Sequence, residues 1–185
     1  MLSDFYKQFK SGTDIRGVAS EGVEGEALNM TNEAVRDMAA GFATWLSEKV
    51  GKKASDLTVS VGRDSRISGE RILNCVSETL RSFGVKVINC DLASTPSMFM
   101  TTVELSCDGA VQITASHHPF NRNGLKFFTR GGGLEGSDIT AILTNASEGN
   151  FPEEAEGGEI TTVNYMEQYA KNLCEQIKRE VNAED

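Results

Sequence analysis

Residues 114–128 read TASHHPFNRNGLKFF. One short segment thus gathers a hydroxyl (Ser116), two imidazoles (His117 and His118), a guanidinium (Arg122) and an amine (Lys126). Serine, histidine, proline, asparagine and glycine all favour turns, so a plain connecting loop accounts for the composition. Loops on a rigid scaffold also carry function, and these residue types fit one chemistry. Ser116, at the end of an apolar run, presents a hydroxyl to solvent. Asn121 and Gly124 let the backbone turn close to a ligand. Lys126 leads the next strand and is expected to point its ammonium back toward the loop. A hydroxyl with an imidazole and an ammonium nearby suits phosphoryl transfer, where positioning and charge stabilisation do most of the work.

Two further segments hold charged residues in turns. SGTDIRGVA (11–19) reads as a glycine-bounded turn with Asp14 and Arg16 paired at the surface. VGRDSRISGE (61–70) reads as a strand-to-helix connection with a local ion pair among Arg63, Asp64 and Arg66, and with Ser68 capping the helix. Other signals carry less. Gly131, Gly133 and Gly136 match G-x-G-x-x-G, but the dinucleotide fingerprint belongs at the first strand of a long βαβ unit, so a tight turn is expected here. There is no G-x-S-x-G elbow. Adjacent His117 and His118 are poorly placed to chelate one zinc ion.

The elements that must position these residues follow from periodicity. Helices are expected over 31–51, 68–84, 95–105 and 134–149, and strands over 57–62, 85–92, 109–115 and 125–129. Thr31 starts the first helix and Gly51 stops it; Thr95-Pro96 forms a cap-plus-first-turn pair. The alternation argues for an α/β layer with helices on both faces of the sheet. The last two strands, joined by about ten residues, are expected to pair antiparallel and make the sheet mixed. The Ser116 loop then lies beyond the carboxyl end of a strand, where open α/β sheets bind ligands. Residues 150–163 are acidic and glycine-rich and read as a linker. Residues 164–181 read as an amphipathic helix with Tyr165, Tyr169, Leu173, Ile177 and Val181 along one side, in need of an apolar surface.

The chain of 185 residues fits one domain with an appendage, 1–149 and 150–185. Its formal net charge of −9 argues against nucleic acid, which calls for basic stripes, but leaves room for a small phosphorylated ligand held by local cations. Cys75, Cys90, Cys107 and Cys174 form no C-x-x-C pair. No signal peptide and no membrane-spanning run is visible, so a cytoplasmic protein with reduced cysteines is expected, and Asn145-Ala146-Ser147 carries no glycosylation reading.

Taken in order, GTDIRG, VGRDSRISG and TASHHPFNRNGLKFF resemble the first domain of the α-D-phosphohexomutases, the phosphoglucomutase/phosphomannomutase family. The likeness runs from about residue 8 to residue 129, and the linker and last helix resemble the exit from that domain. It implies a three-layer α/β/α domain with a mixed sheet. It implies that Ser116 carries a phosphoryl group, passed to a hexose monophosphate and recovered from a hexose 1,6-bisphosphate after the sugar reorients. Arg16 and Lys126 would neutralise charge on that group, and His117 would be an acid/base. A Mg²⁺ ion would bind a phosphoserine oxygen, with its remaining ligands in a second domain. The family's usual asparagine after Ser-His is His118 here.

The family's Asp-Gly-Asp-x-Asp-Arg metal loop and its sugar- and phosphate-binding loops of later domains do not occur in these residues. The resemblance therefore implies one domain of four, inactive alone, whose partners are the remaining domains and the hexose phosphates, glucose or mannose. The stripe of 164–181 would pack at the junction with the next domain, or, in this chain alone, either back on its own domain or on a second copy by self-association. A non-catalytic phosphosugar-binding or regulatory module, or a structural interaction module, stands as the alternative.

Overall fold

The structure, a computed structural model, describes residues 1–181. In chain order the elements are α1 (Asp4–Lys7), β1 (Lys10–Ser11), β2 (Asp14–Val18), α2 (Asn32–Val50), a 3-10 turn (Ala54–Asp56), β3 (Thr58–Arg63), α3 (Gly69–Ser82) and β4 (Lys86–Leu92). There follow α4 (Thr95–Glu104), β5 (Gly109–Ile113), β6 (Arg122–Thr129), β7 (Gly132–Gly133), α5 (Gly136–Glu148), β8 (Glu159–Thr162) and α6 (Tyr165–Val181).

The strands form one sheet in the order β1-β2-β6-β5-β3-β4-β8, with β7 paired to β6. β3 runs parallel to both β4 and β5, and β8 runs parallel to β4. β6 is antiparallel to β5 and to β2, so the sheet is mixed, as expected. Successive side chains of a strand point to opposite faces, and the burial follows that rule. Val59 and Val61, Val111 and Ile113, Leu125 and Phe127 enter one core with α2, α3 and α5. Ala110 and Phe128 enter a second, smaller core with Met98 of α4 and Tyr165 of α6. Helices therefore cover both faces, giving three layers.

Local chemistry sets the helix ends. The Thr31 hydroxyl accepts a hydrogen bond from the Ala34 amide, and Gly51 closes α2 at φ 67° in the left-handed region, where glycine carries no Cβ penalty. α4 is capped one residue earlier than expected: Ser94 and Ser97 form a reciprocal capping box, and Pro96 lies in the first turn. Arg130 and Gly131 make the β6–β7 turn, Gly133 lies in β7 and Gly136 opens α5, so the G-x-G-x-x-G match is a tight turn.

Three elements depart from the expectation. The turn-like 11–19 segment holds β1 and β2, which form a hairpin at the sheet edge. β6 begins at Arg122 rather than 125, because Arg122, Asn123 and Gly124 pair with Val18, Gly17 and Arg16 of β2. The expected linker contains β8: Ile160 packs on the main core while its neighbours on the strand stay exposed. Half of α6 finds a surface within the chain. Tyr165 is buried and its hydroxyl donates to Glu104 Oε2 at 2.7 Å, with Tyr169 packed beside it. Leu173, Ile177 and Val181 are 39, 59 and 67 % exposed, so the outer half of the stripe faces solvent. Among the described residues no helix is long and apolar enough to cross a membrane.

Two measurements test this packing. α2 and α5 approach so closely that a Cβ at Gly41 would lie 2.5 Å from the Ile142 carbonyl oxygen and 2.9 Å from the Ala146 amide nitrogen. Backbone cannot step aside as a side chain can, so Gly41→Ala should lower stability by ~1–3 kcal/mol. Urea unfolding should show it as a lower midpoint at unchanged slope. Burial pushes the thiols of Cys90 and Cys107 up to about 12 and about 11, whereas Cys174 is exposed. The thiolate is the reactive form, so iodoacetamide at pH 8 should modify Cys174 in the native protein and reach Cys90 and Cys107 only after denaturation. Native labelling of Cys90 would contradict the second core.

Candidate active site

The site grows from the carboxyl ends of two adjacent parallel strands, β3 and β5. Their register pairs Arg63 with Ile113, and the Asp64 amide donates to the Ile113 carbonyl at 2.9 Å. Both strands end there and both chains turn outward side by side.

After β5 the backbone passes buried Thr114 and Ala115 and delivers Ser116 to the surface. Ser116 sits at φ 53°, a left-handed conformation uncommon for a residue with a Cβ. Such a conformation costs of order 1–3 kcal/mol and persists only when its surroundings over-determine it. Here they do. The Thr114 hydroxyl accepts from the Ser116 amide at 3.0 Å and itself donates to Asp64 Oδ2 at 2.7 Å. The Ser116 carbonyl accepts from Arg66 Nη2 at 2.7 Å. The His118 amide donates to the Ala115 carbonyl at 3.0 Å and closes the turn.

Arg66 does more than join a local ion pair. Nη2 also donates to the His118 carbonyl at 2.8 Å, and Nη1 donates to the carbonyls of Pro119 at 2.7 Å and Arg122 at 3.0 Å. Its own amide donates to Asp64 Oδ1 at 3.0 Å, and its Nε lies 3.4 Å from Asp64 Oδ2. Ser68 does not cap α3 with its side chain as expected. Its hydroxyl accepts instead from Asn123 Nδ2 at 2.9 Å, which ties the start of α3 to the start of β6.

The hydroxyl of Ser116 lies 3.4 Å from Nδ1 of His117, at the long end of hydrogen-bonding range. The rings of His117 and His118 stack with centroids 5.1 Å apart and planes 20° apart. Burial pushes the pKa of His118 down, and Arg16, His117, Arg122 and Arg66 push it the same way, so its neutral form is favoured.

The cations come from the β2–β6 pair. Asp14, Arg16, Gly124 and Lys126 share the sheet face that bears α4. Arg16 pairs with Gly124, and its side chain runs over that glycine to donate from Nη1 to the Thr114 carbonyl. A Cβ at Gly124 would lie 2.2 Å from the Ile15 carbonyl oxygen and 2.7 Å from Arg16 Cδ, so only glycine leaves this path open. Arg16 Nη2 meets Asp14 Oδ2 at 2.6 Å, and Lys126 Nζ meets Asp14 Oδ1 at 2.8 Å. The Asp14 and Arg16 side chains are 14 and 10 % exposed, so this pair is largely buried and not the surface pair expected. Lys126 stands in the middle of β6 and turns toward Asp14. Among the described residues, neither Arg16 nor Lys126 hydrogen-bonds the Ser116 hydroxyl. Thr114 is the link between them: its carbonyl holds Arg16 and its hydroxyl holds the Ser116 amide.

Glu26 latches the far end of the loop. It accepts from Asn121 Nδ2 at 2.9 Å and pairs with Arg122 at 3.0 Å, and these contacts hold its carboxyl below the usual range. A groove of about 910 Å³ between α2 and α3, lined by Asn32, Arg36, Arg71 and Cys75, shares no residue with the Ser116 loop.

These residues do not make a metal site. Among the described residues no three His, Cys, Asp or Glu side chains stand together as ligands. The carboxylates around the loop are already engaged: Asp14 by Arg16 and Lys126, Asp64 by Thr114 and Arg66, and Glu26 by Asn121 and Arg122. Mg²⁺ needs several oxygen ligands, and none of these carboxylates is left free to supply them.

The sequence pointed to Ser116, His117, Lys126 and Arg16, and the structure gathers them around Thr114 and Asp14. It read Asp14 only as the partner of Arg16 and missed its bond to Lys126, and it missed the work of Asp64, Arg66 and Thr114, whose partners are mainly backbone atoms or each other.

Comparison with known proteins identifies the family and the fold. Residues 8–153 match the sequence model of "Phosphoglucomutase/phosphomannomutase, alpha/beta/alpha domain I". A phosphoglucosamine mutase of Lactobacillus gasseri is 35% identical over 167 residues, covering 88% of this chain and 35% of that protein. A phosphoglucomutase of Neisseria meningitidis serogroup B is 25% identical over 175 residues, covering 95% of this chain and 35% of that protein. A crystal structure of a phosphoglucomutase/phosphomannomutase family protein from Burkholderia thailandensis superposes with a TM-score of 0.72 at 23% identity, over 94% of this chain and 36% of that one. The chain thus spans about a third of the length of the relatives it matches. It belongs to the phosphoglucomutase/phosphomannomutase family and has the fold of that family's α/β/α domain I.

Proposed function

We propose that this chain is the nucleophile-bearing domain of a phosphohexomutase that interconverts hexose 1-phosphate and hexose 6-phosphate, with Ser116 as the phosphoryl carrier. One observation carries the reading. An exposed serine hydroxyl projects from a loop held at both peptide ends, beside His117 and close to two cations that share Asp14.

In the forward half-reaction the phosphoryl group on Ser116 passes to a free hydroxyl of the bound hexose phosphate. The P–Oγ bond breaks, a P–O bond to the sugar forms, and as the sugar hydroxyl loses its proton the departing Oγ takes one up. In the return half-reaction Oγ gives up its proton and attacks the other phosphorus of the bisphosphate, the P–O bond to the sugar breaks, and the departing sugar oxygen takes up a proton. His117 is the group at hand to give and accept the proton at Oγ. Arg16 and Lys126 would offset charge on the transferring group, acting in a site where positioning does most of the work. Magnesium belongs to this reading only with carboxylates from outside the chain, and no step above is routed through it.

The substrate is proposed as a class, hexose phosphates. Glucose and mannose follow from the family resemblance, and the name of the Lactobacillus relative adds an amino sugar. The remaining domains are the proposed partners. The core up to α5, with β8 added to its sheet, would form the domain proper, and the exposed half of α6 would lie at the junction with the next one. Light scattering of the chain with and without residues 150–185 checks the other occupant, a second copy. Equal monomeric masses are expected, and a dimer lost on truncation would assign the stripe to self-association.

The direct test is a coupled assay of glucose, mannose and glucosamine 1-phosphate conversion with Mg²⁺. It compares this chain alone with this chain joined to the remaining two-thirds of a matched relative. Loss of positioning alone removes ~7–11 kcal/mol of barrier lowering, so the chain alone should show no turnover. The joined protein should turn over and lose nearly all activity on Ser116→Ala. Full activity in that variant would favour the alternative, a phosphosugar-binding module whose serine does no chemistry.

A further inference from the structure

The VGRDSR segment would pass for a substrate-binding cluster, with two arginines beside an exposed serine. Its geometry points to a different task. We infer that Arg66, together with Asp64 and Thr114, is a clamp that holds Ser116 in its left-handed conformation, and that Arg66 is a positioning residue that does not bind phosphate.

The donor count carries the argument. A guanidinium has five N–H donors in a fixed fork, four of them on the two terminal nitrogens. Arg66 directs Nη1 to two backbone carbonyls and Nη2 to two more, those of Ser116, His118, Pro119 and Arg122. Its fifth donor, Nε, is buried 3.4 Å from Asp64 Oδ2 without a hydrogen bond to it. The four terminal donors are taken and Nε is shut away from solvent, so none is free for a ligand, and the side chain is only 12 % exposed. Asp64 balances the charge and extends the grip: its Oδ2 holds the Thr114 hydroxyl, which in turn accepts from the Ser116 amide. The carbonyl and the amide of the same serine are thus both fixed from the Asp64–Arg66 turn. Arg66 lies 50 residues from Ser116 in sequence and Asp64 lies 50 from Thr114, brought together because β3 and β5 are neighbours. Lysine cannot substitute, because its three donors sit on one nitrogen and lack the planar fork.

The clamp is a statement about this chain; its catalytic consequence rests on the proposed role of Ser116, and the test separates the two. Arg66→Lys and Thr114→Val, each cutting one arm, are compared with wild type by amide hydrogen exchange. Amides of 115–122 should exchange at least about tenfold faster in each variant, while those of β3 and β5 keep their protection. Thr114→Val serves if Arg66→Lys fails to fold, since it leaves every Arg66 contact in place. In the joined protein, Arg66→Lys should lower kcat by roughly 100-fold, the scale of an ångström misplacement, with KM within about twofold. A residue that only supported the fold would lower the unfolding midpoint and leave kcat of the folded fraction intact. Unchanged loop protection in both variants overturns the clamp, and so does a raised KM at constant kcat, which would make Arg66 a substrate ligand. A loosened loop in a protein whose turnover ignores Ser116→Ala leaves the clamp standing and removes the nucleophile.

Discussion

The guanidinium of Arg66 lies against four carbonyl oxygens of the loop that carries Ser116, and the rest of the site depends on that arrangement. A buried cation without partners is costly, and a loop of inward-turned carbonyls without donors is also costly. Each solves the other's problem, and Asp64 offsets the charge that remains. The same contacts let a serine keep φ 53°. None of this could form unless β3 and β5 were adjacent and parallel, so that their ends turn out at the same level. Burial of β5 on both faces, between the α2/α3/α5 core and the α4/α6 core, fixes that adjacency.

The second half of the site depends on a strand pair of opposite sense. β6 returns antiparallel beside β5 and takes β2 as its outer neighbour. That pairing puts Arg16 over Gly124 and lets Asp14 reach both Arg16 and Lys126. A chain of net charge −9 thereby presents a local positive cluster next to its exposed serine. Asp14 holds the two ammonium and guanidinium groups together against their mutual repulsion while leaving the pair with a net positive charge.

Much of this fold was legible in the sequence because its helices are long and strongly periodic and its inner strands are apolar. Val35, Met38, Phe42 and Leu46 mark α2 unaided, and Val59 and Val61 mark β3. The edges were not legible. β2, inside the two-residue edge strand β1, reads DIRGV, and the edge strand β8 reads EITT: neither shows an apolar run, and both exist through pairing with distant residues. The site divided along similar lines. Ser116, His117 and Lys126 announce themselves by side-chain chemistry in one segment. Arg66 acts on main-chain carbonyls, which every residue has, so no pattern of residue types betrays it. Its ion pair with Asp64 was visible from spacing, and its main work was not. Ser68 misled for the same reason: a serine before a helix fits a cap, and only the distant Asn123 diverts its hydroxyl.

The central claim is that Ser116 is the phosphoryl carrier. Peptide mass spectrometry after incubation of the joined protein with glucose 1,6-bisphosphate tests it most directly. The account predicts a single phosphate on the peptide that contains Ser116, absent from the Ser116→Ala protein. A phosphate found on another residue, with Ser116 unmodified, would contradict it.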